Sequence, residues 1–425
     1  MVLVFIVFLC LLVLGVPVAF SIGAAGVLFF LQHSNLPATI VAQLPISQTQ
    51  TVAMLAIPLF ILAGNLMNAG GVTSRLVELA TLLTGHMRAG LAQVSVVLST
   101  LMGGISGSAT ADAAMEARLL GPDMLKRGYS KGFTANALTF PSLITATIPP
   151  GVGLILFGTT GGVSIGQLFA SGLTVGIIMM VIMMVTVNLV ARHHGYLPER
   201  EHAAHPIEIL HSLKETIWAL MFPLLMLFGI RLGFFTASEV GSFACVYAIV
   251  IGLFVYKELT WERFLGALDD TAKDMGAIML IISMSGLFGY GIPIDKVPQT
   301  VTSLMMNVTS NGHLILCLII ILLLFLGMFM EGATTIILLT PILIPLVESV
   351  GIDPVHLGVL MCMMTTLAVN TPPVGISMYT VNTILDVPLK DYCKEMVPFL
   401  IATMLMVLTL AFTPEVIMFL PELFF

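Results

Sequence analysis

The chain has 425 residues, of which 58% are hydrophobic and only 9% are charged, and its mean hydropathy is +1.07. Soluble domains carry roughly 25% charged residues, so this composition indicates a polytopic membrane protein rather than a soluble one. The formal net charge is -7, and the clusters of basic residues needed for binding nucleic acid are absent, which excludes that partner.

The first part of the chain is apolar and then amphipathic. We expect residues 1–32 to form one long crossing with a kink at Gly15-Val16-Pro17, because glycine and proline interrupt helices. Residues 52–70 are predicted to form a second crossing. An amphipathic piece at 74–83 then leads into an apolar arm at 91–101.

A glycine-rich stretch follows this arm and has the wrong composition for a spanning helix. It combines glycines that break a helix with polar residues that begin one, namely Gly103, Gly104, Gly107, Ser108, Thr110 and Asp112. We therefore predict a re-entrant helical hairpin over about 90–120, which is tolerated at membrane depth where it lines a cavity. The free N–H groups of its restarted helix would form an anion site.

The next segment, at about 133–161, is predicted to be a broken helix. Its centre, Thr145-Ala-Thr-Ile-Pro-Pro-Gly151, contains two adjacent prolines that remove two backbone donors. Residues 172–191, 213–231 and 239–256 are typical of ordinary crossings.

A polar linker at 192–212 separates two halves, 1–191 and 213–425, and the second half repeats the first. Pro149-Pro150 recurs as Pro372-Pro373, at an offset of about 223 residues. Interrupted apolar segments at matching places in two halves indicate a transporter site. The repeat places a second hairpin at about 313–346 and a second broken helix at about 355–384.

Basic residues indicate how the halves are inserted, because Lys and Arg mark cytoplasmic loops. The loop after the first hairpin, 121–131, carries three basic residues, whereas its counterpart 345–354 carries none. The loops after the broken helices show the reverse, since 162–172 is uncharged and 386–394 carries two lysines. The predicted fold is an all-α polytopic membrane protein with two inverted-topology repeats. It has about nine crossings and two hairpins, a cytoplasmic N-terminus and a periplasmic C-terminus, with the hairpin tips meeting near mid-membrane.

The tips and breaks of both halves supply the candidate site. Hydroxyls and freed carbonyls suit a cation such as sodium, and half-helix N-termini suit a carboxylate. No Arg or Lys lies at either tip, so N–H groups, hydroxyls and bound cations would hold the carboxylate. The same hydroxyls could instead bond their own backbone or join helices. The candidate substrate ligands are Ser108, Thr110, Thr145, Glu331 and Thr335.

Three acidic residues lie within the hairpins. Glu331 stands at a tip after a long uncharged run, where an ionisable group is costly and usually functional; it could contact a cation, carry a proton or bond to the hairpin backbone. Asp112 and Glu116 lie one helical turn apart. They could couple to a cation or proton, but we favour a structural role in which they cap the restarted helix and pair with Arg118.

The residues required by an enzyme are missing, because no histidine faces a tip serine and no paired aspartates suit intramembrane proteolysis. The linker histidines resemble a metal cluster only superficially, and a solvated loop is favoured: His193, His194, His202 and His205. We expect no metal cofactor, with sodium entering only as a coupling ion.

Five motifs together carry a resemblance to a known family. They are Ile57-Pro-Leu-Phe-Ile-Leu-Ala-Gly64, Asn68-Ala-Gly-Gly71, Ser106-Gly-Ser-Ala-Thr-Ala-Asp112, Ile148-Pro-Pro-Gly151 and Asn370-Thr-Pro-Pro-Val-Gly375. Over essentially its whole length, the chain resembles the large membrane subunit of tripartite ATP-independent periplasmic (TRAP) transporters, which include the C4-dicarboxylate and sialic acid systems.

The resemblance implies sodium-driven uptake without ATP, by an elevator movement of the hairpin domain against a scaffold. It implies two partners, a small membrane subunit and a periplasmic substrate-binding protein. Because the chain starts at the large subunit, we expect the small subunit to be a separate polypeptide. By motif match, the implied sodium ligands are Ser106, Ser108, Thr147, Ile148, Gly151, Gly332, Thr334, Asn370, Thr371 and Pro372.

The leading hypothesis is a sodium-coupled importer subunit for a small organic carboxylate, such as a C4-dicarboxylate, sialic acid or another sugar acid, in the bacterial inner membrane. A stand-alone sodium–dicarboxylate or citrate symporter is the nearest alternative. A passive channel or an assembly scaffold is the alternative from a different class, and it predicts transport indifferent to sodium, or none.

Overall fold

A computed structural model describes residues 1–33, 35–200, 202–309 and 311–425, and within these ranges the chain is helical without a β-strand. The helices of the first half are α1 (Val2–Val13), α2 (Val18–Gln32), α3 (Thr39–Ser47), α4 (Ala56–Ala69), α5 (Val72–Thr84), α6 (Gly90–Gly103), α7 (Ala109–Leu119), α8 (Gly121–Lys126), α9 (Lys131–Thr139), α10 (Ser142–Thr147), α11 (Val152–Gly161) and α12 (Ile165–His194).

The helices of the second half are α13 (Pro206–Arg231), α14 (Ala237–Val250), α15 (Trp261–Ile294), α16 (Val297–Val308), α17 (Gly312–Gly327), α18 (Gly332–Ser349), α19 (Pro354–Val369), α20 (Ile376–Leu385), α21 (Leu389–Phe412) and α22 (Pro414–Phe424). Among the described residues, six helices are long and apolar enough to cross a membrane. The number rises to eight if α4 with α5, and α9–α10 with α11, each count as one bent span. The all-α polytopic fold is confirmed, with fewer long spans than the nine predicted.

Residues 1–32 do not form the single kinked crossing that was predicted. Gly15 adopts φ +81°, a conformation that favours glycine, and the chain reverses there between α1 and α2. The amine of Met1 and the imidazole of His33 both contact Asp295, with His33 Nε2 at 3.3 Å. The two helices measure about 18 Å and 22 Å, each shorter than the ~30 Å apolar core of a bilayer. This segment is therefore a helical hairpin with both ends on one side.

One end of the molecule gathers loops from both halves, and we call it the basic end, defined by Lys126, Lys131, Lys390 and Lys394. The Ser130 hydroxyl donates to Glu395 at 2.7 Å, and the Asn136 amide donates to the Tyr392 carbonyl at 2.9 Å. These bonds join the loop after α8, and α9 itself, to the start of α21. The two basic loops predicted to share one side therefore do lie together.

The two re-entrant hairpins open at opposite ends of the molecule. The first, α6 and α7, opens at the basic end, where Gly121 packs against Leu385. The second, α17 and α18, opens at the far end of α21, where the rings of His313 and Phe412 lie 5.3 Å apart. Helix α19 is buried from Val355 to Val369, which places it at the centre of the helical bundle.

Candidate functional site

The tip of the first hairpin is a turn of five residues between α6 and α7. Gly107 adopts φ +62°, and a Cβ added there would lie 2.5 Å from the carbonyl oxygen of Pro150. Both the left-handed backbone and the close approach require glycine. After the turn, Ser108 is extended and α7 begins. The tip is therefore fitted directly against the first Pro-Pro break.

The two Pro-Pro runs interrupt helices as predicted. The first break separates α10 from α11, and the second separates α19 from α20; both contain a cis peptide, Pro149-Pro150 and Pro372-Pro373. The tip of the second hairpin lies before α18, where Glu331 is extended. Each half thus presents one helix start at a tip and one interrupted helix.

The two tips face a common cavity of about 410 Å³, which we call the tip cavity. Of the predicted site residues, Ser106, Ser108, Thr110, Glu331 and Gly332 line it. Its other walls come from α4, α15 and α19, through residues that include Gly64, Asn65, Asn68, Lys273, Asp274, Thr365 and Thr366. The cavity therefore lies between the two hairpins and the long helices α4 and α15.

Helix starts supply the main hydrogen-bond donors of the tip cavity. The first N–H groups of a helix have no partner inside that helix. In α7 these belong to Ala109, Thr110 and Ala111, and in α18 they include those of Gly332 and Ala333; all five residues line the cavity. Two half-helix N-termini, with the positive ends of their dipoles, thus converge on the same space.

Several predicted ligands do not reach the tip cavity. Thr145, expected to touch the substrate, instead donates to the Ser99 carbonyl at 2.9 Å and to Asp112 Oδ2 at 2.5 Å. Thr335 donates to the Glu331 carbonyl at 3.2 Å, within its own helix. Neither threonine lines the cavity, so their predicted substrate contacts stay predictions. The hydroxyls of two predicted sodium ligands donate to nearby backbone carbonyls, at 2.9 Å in each case: Thr147 to Leu143 in α10, and Thr371, in the second break, to Ala368 at the end of α19.

Two predicted sodium ligands carry buried oxygens without a hydrogen-bond partner. These are Thr334 Oγ1 and Asn370 Oδ1, on residues that are 0% exposed. The Asn370 amide nitrogen is used, since it donates to the Thr139 carbonyl at 3.0 Å. An unpaired buried polar group costs about 1–3 kcal/mol, and a cation would remove that cost. Unpaired oxygens of this kind suit a hard monovalent ion. The predicted backbone ligands Ile148, Gly151 and Pro372 lie on the two breaks.

The carboxylates of the first hairpin point inward. Glu116 accepts hydrogen bonds from Ser99, at 2.9 Å, and from Ser95. Asp112 accepts one from Thr145, and it is 1% exposed. Within the described residues, no ion pair links Arg118 to either acid, so the predicted pairing with Arg118 is wrong. These acids instead join α7 to α6 and α10.

Sequence reasoning missed the charged wall of the tip cavity. Lys273 and Asp274 lie on α15, and Lys273 forms an ion pair with Asp269 at 2.5 Å. The signal was present as a cluster of charges in the first half of α15, Asp269, Asp270, Lys273 and Asp274, directly before its uncharged second half. The tips lack Lys and Arg as predicted, but the cavity as a whole does contain a lysine.

Residues 5–416 match the family model described as "Tripartite ATP-independent periplasmic transporter, DctM component". The chain is 34% identical over 407 residues to a putative TRAP transporter large permease protein of Haemophilus influenzae, covering 96% of this chain and 95% of that protein. It is 31% identical over 414 residues to the sialic acid TRAP transporter large permease protein SiaM of Vibrio cholerae, covering 97% and 96%.

Among solved structures, the fold is similar to that of the YdaH transporter of Alcanivorax borkumensis. The TM-score is 0.64 at 13% sequence identity, and the match covers 89% of this chain and 90% of that one. At this identity the likeness concerns the fold alone.

Proposed function

The chain belongs to the DctM component family of tripartite ATP-independent periplasmic transporters, and from this membership we propose that it is the translocation subunit of a sodium-coupled importer for a small organic carboxylate. The observation that carries the proposal is the tip cavity, onto which the starts of α7 and α18 converge from opposite hairpins. Such a space suits an anion, because unpaired N–H groups and helix dipoles face it.

Sodium coupling is supported by the buried oxygens of Thr334 and Asn370. A cation at these oxygens would lie beside the start of α18 and the second Pro-Pro break, close to the carboxylate. Sodium and substrate would then stabilise each other's binding by charge, so that each raises the affinity of the other by the same factor. Ser106, Ser108 and the break at Ile148–Gly151 would form the corresponding cation site of the first half.

The carboxylate would be held in the tip cavity by Ser108, Thr110 and the N–H groups of α7 and α18. Lys273 adds a positive charge from α15, outside both hairpins. Glu331 would contact a cation rather than the acid, since two negative groups repel each other in a confined site. The relative SiaM is named for sialic acid, and a sugar acid of that kind is one substrate class we propose.

The movement we propose is an elevator displacement of the hairpins and broken helices against α4 and α15. It is supported by the opposite openings of the hairpins and by the position of the tip cavity against these two helices. Inverted repeats over 1–191 and 213–425 would account for this arrangement. Residues 1–33 form a helical hairpin instead of a crossing, so the chain crosses the membrane one time fewer than predicted. We therefore propose that the N-terminus lies with the C-terminus on the periplasmic side of the inner membrane.

The family description names a tripartite periplasmic system, and we propose that this chain works with a small membrane subunit and a periplasmic substrate-binding protein. The test is uptake of radiolabelled organic acids into proteoliposomes that contain both membrane subunits. Uptake is expected only with the cognate binding protein and an inward sodium gradient. Uptake without the binding protein would establish a stand-alone symporter instead. Uptake that ignores the sodium gradient would contradict the proposed coupling.

A further inference from the structure

A second cavity, of about 530 Å³, lies at the basic end between α12 and α21, and we call it the lateral cavity. Its polar lining comprises His193, His194, Lys394 and Glu395, and its apolar lining includes Leu189 and Pro398. The two histidines belong to the last turn of α12, rather than to the solvated linker that was predicted. None of these residues takes part in the tip cavity.

The lateral cavity has one positive charge, that of Lys394, available to a ligand. Its one carboxylate, Glu395, is already engaged, since it accepts from the Ser130 hydroxyl at 2.7 Å and 2.9 Å and lies 3.5 Å from His194 Nε2. Lys394 is exposed, and no ion pair within the described part of the chain includes it or His193. An ammonium group and an imidazole are therefore free to meet an anion.

Two stripes of exposed apolar side chains run along the membrane helices that bound the lateral cavity. On α12 they recur every four residues and are 48–60% exposed: Ile177, Val181, Val185 and Leu189. On α21 they recur at the same spacing and are 49–60% exposed: Val397, Ile401 and Leu405. Residues four apart share a helix face, so each stripe is continuous. The α12 stripe spans about 18 Å, close to the ~15 Å of one bilayer leaflet.

We propose that the lateral cavity binds the headgroup phosphate of an anionic phospholipid, whose acyl chains lie along the stripes of α12 and α21. Lys394 and His193 would contact the phosphate, while Glu395 stays bonded to Ser130 and His194. Basic pockets between membrane helices at a cytoplasmic boundary are suited to such headgroups. A free phosphate would satisfy the charges but leave the apolar stripes unused. A protein helix would cover the stripes but leave the charges unpaired.

The site lies on α12 and α21, beside the elements that we propose to move. Through Glu395 and Ser130 it is connected to the start of α9, which belongs to the first broken helix, and through α21 to the second half. A lipid bound there would therefore be linked to the first broken helix, which is a consequence of the position and does not depend on sodium coupling.

The test is binding of the full-length protein to nanodiscs that contain phosphatidylglycerol, with phosphatidylcholine as the neutral lipid, followed by native mass spectrometry. Wild-type protein is expected to retain phosphatidylglycerol in preference to phosphatidylcholine. Lys394→Gln is expected to lower this preference about fivefold, and His193→Gln to lower it further. Lys126→Gln is the matched control, because it removes the same charge at the same end, away from the cavity.

Other outcomes would overturn the proposal. Equal retention of phosphatidylglycerol by Lys394→Gln and wild type would show that the lateral cavity does not bind the lipid headgroup. Inorganic phosphate that displaces phosphatidylglycerol completely at millimolar concentration would identify a free-anion site. A small membrane subunit that crosslinks to a cysteine placed at Leu189 and excludes the lipid would identify a protein interface.

Discussion

The hydroxyl of Thr110, in the first turn of α7, lies 2.8 Å from the hydroxyl of Ser377, in the first turn of α20. These residues belong to the first hairpin and to the second broken helix, 267 positions apart in the chain. The two halves are therefore bonded to each other beside the tip cavity, and a shift of α7 relative to α20 would break this hydrogen bond.

The unpaired oxygen of Thr334 gives the sharpest test of the cation site. Thr334→Ala is expected to raise the sodium concentration needed for half-maximal uptake about tenfold, equal to ~1.4 kcal/mol. Its fold should lose only the packing of the buried methyl group, because the hydroxyl has no partner. Thr340→Ala is the control on the same helix, since that buried hydroxyl bonds the Ile336 carbonyl at 2.6 Å. A sodium titration that is the same in Thr334→Ala and wild type would rule out this oxygen as a ligand.

The fit of the first tip against the Pro-Pro break can be tested at Gly107. Gly107→Ala should cost about 1 kcal/mol for the left-handed backbone, and its Cβ should also push the tip away from Pro150. Gly128→Ala has the same backbone requirement, at φ +86°, but open space around the new Cβ. Uptake at matched expression should therefore fall well below that of Gly128→Ala. Equal activity of the two variants would show that the contact with the break is dispensable.

Lys273 is expected to attract the substrate rather than the cation. Lys273→Gln should raise the KM for the acid about fivefold, through the loss of one charge in a solvated site, and leave the sodium titration at saturating substrate unchanged. Lys126→Gln breaks a comparable exposed pair, with Asp123 at 3.1 Å, outside the cavity. Uptake kinetics measured at saturating sodium distinguish the effect of Lys273→Gln from that of Lys126→Gln. If the KM of Lys273→Gln equals that of wild type, Lys273 does not attract the substrate, and its role is limited to the ion pair with Asp269.

The ion pair between Arg75 and Glu258 predicts a dependence of stability on pH. The hydrogen bond from Arg75, at 2.7 Å, lowers the pKa of Glu258 below its usual 4.5. A lowered pKa stabilises the fold above 4.5 and loses that contribution as the pH falls through the folded-state pKa. Glu258→Gln should therefore lower the thermal midpoint at pH 7, and the difference from wild type should shrink below pH ~4.5. A difference that is constant between pH 7 and pH 3 would contradict this linkage.

The topology can be tested by labelling single cysteines in a background without the five native ones. Lys126→Cys and Glu348→Cys should react from opposite sides of the membrane, because the two hairpins open at opposite ends. Val2→Cys should react from the same side as Glu348→Cys, since α1 and α2 form a hairpin. Labelling of Val2→Cys from the Lys126 side would restore the single crossing that the sequence suggests.

Local chemistry determined which parts of the fold were predictable. Gly107 and the two Pro-Pro runs act on their own backbone, so their helix breaks could be placed from the sequence within a few residues. The return of α2 along α1 depends on how both pack against α15, which no local pattern encodes. The same holds for Thr145, whose hydroxyl reaches Asp112 only because α10 lies beside α7. Lys273 was overlooked because its membership of the cavity follows from the placement of an entire helix.

Helix α19 has a consequence for how the protein is made. It packs against α10, α11 and α12 of the first half and against α17, α18, α21 and α22 of the second, and it is buried from Val355 to Val369. The ribosome delivers α21 and α22 after α19, so α19 cannot complete its packing until these last neighbours arrive. Final docking of this helix is thus a late step of biogenesis, and a chain truncated before α21 would leave it exposed to quality-control proteases.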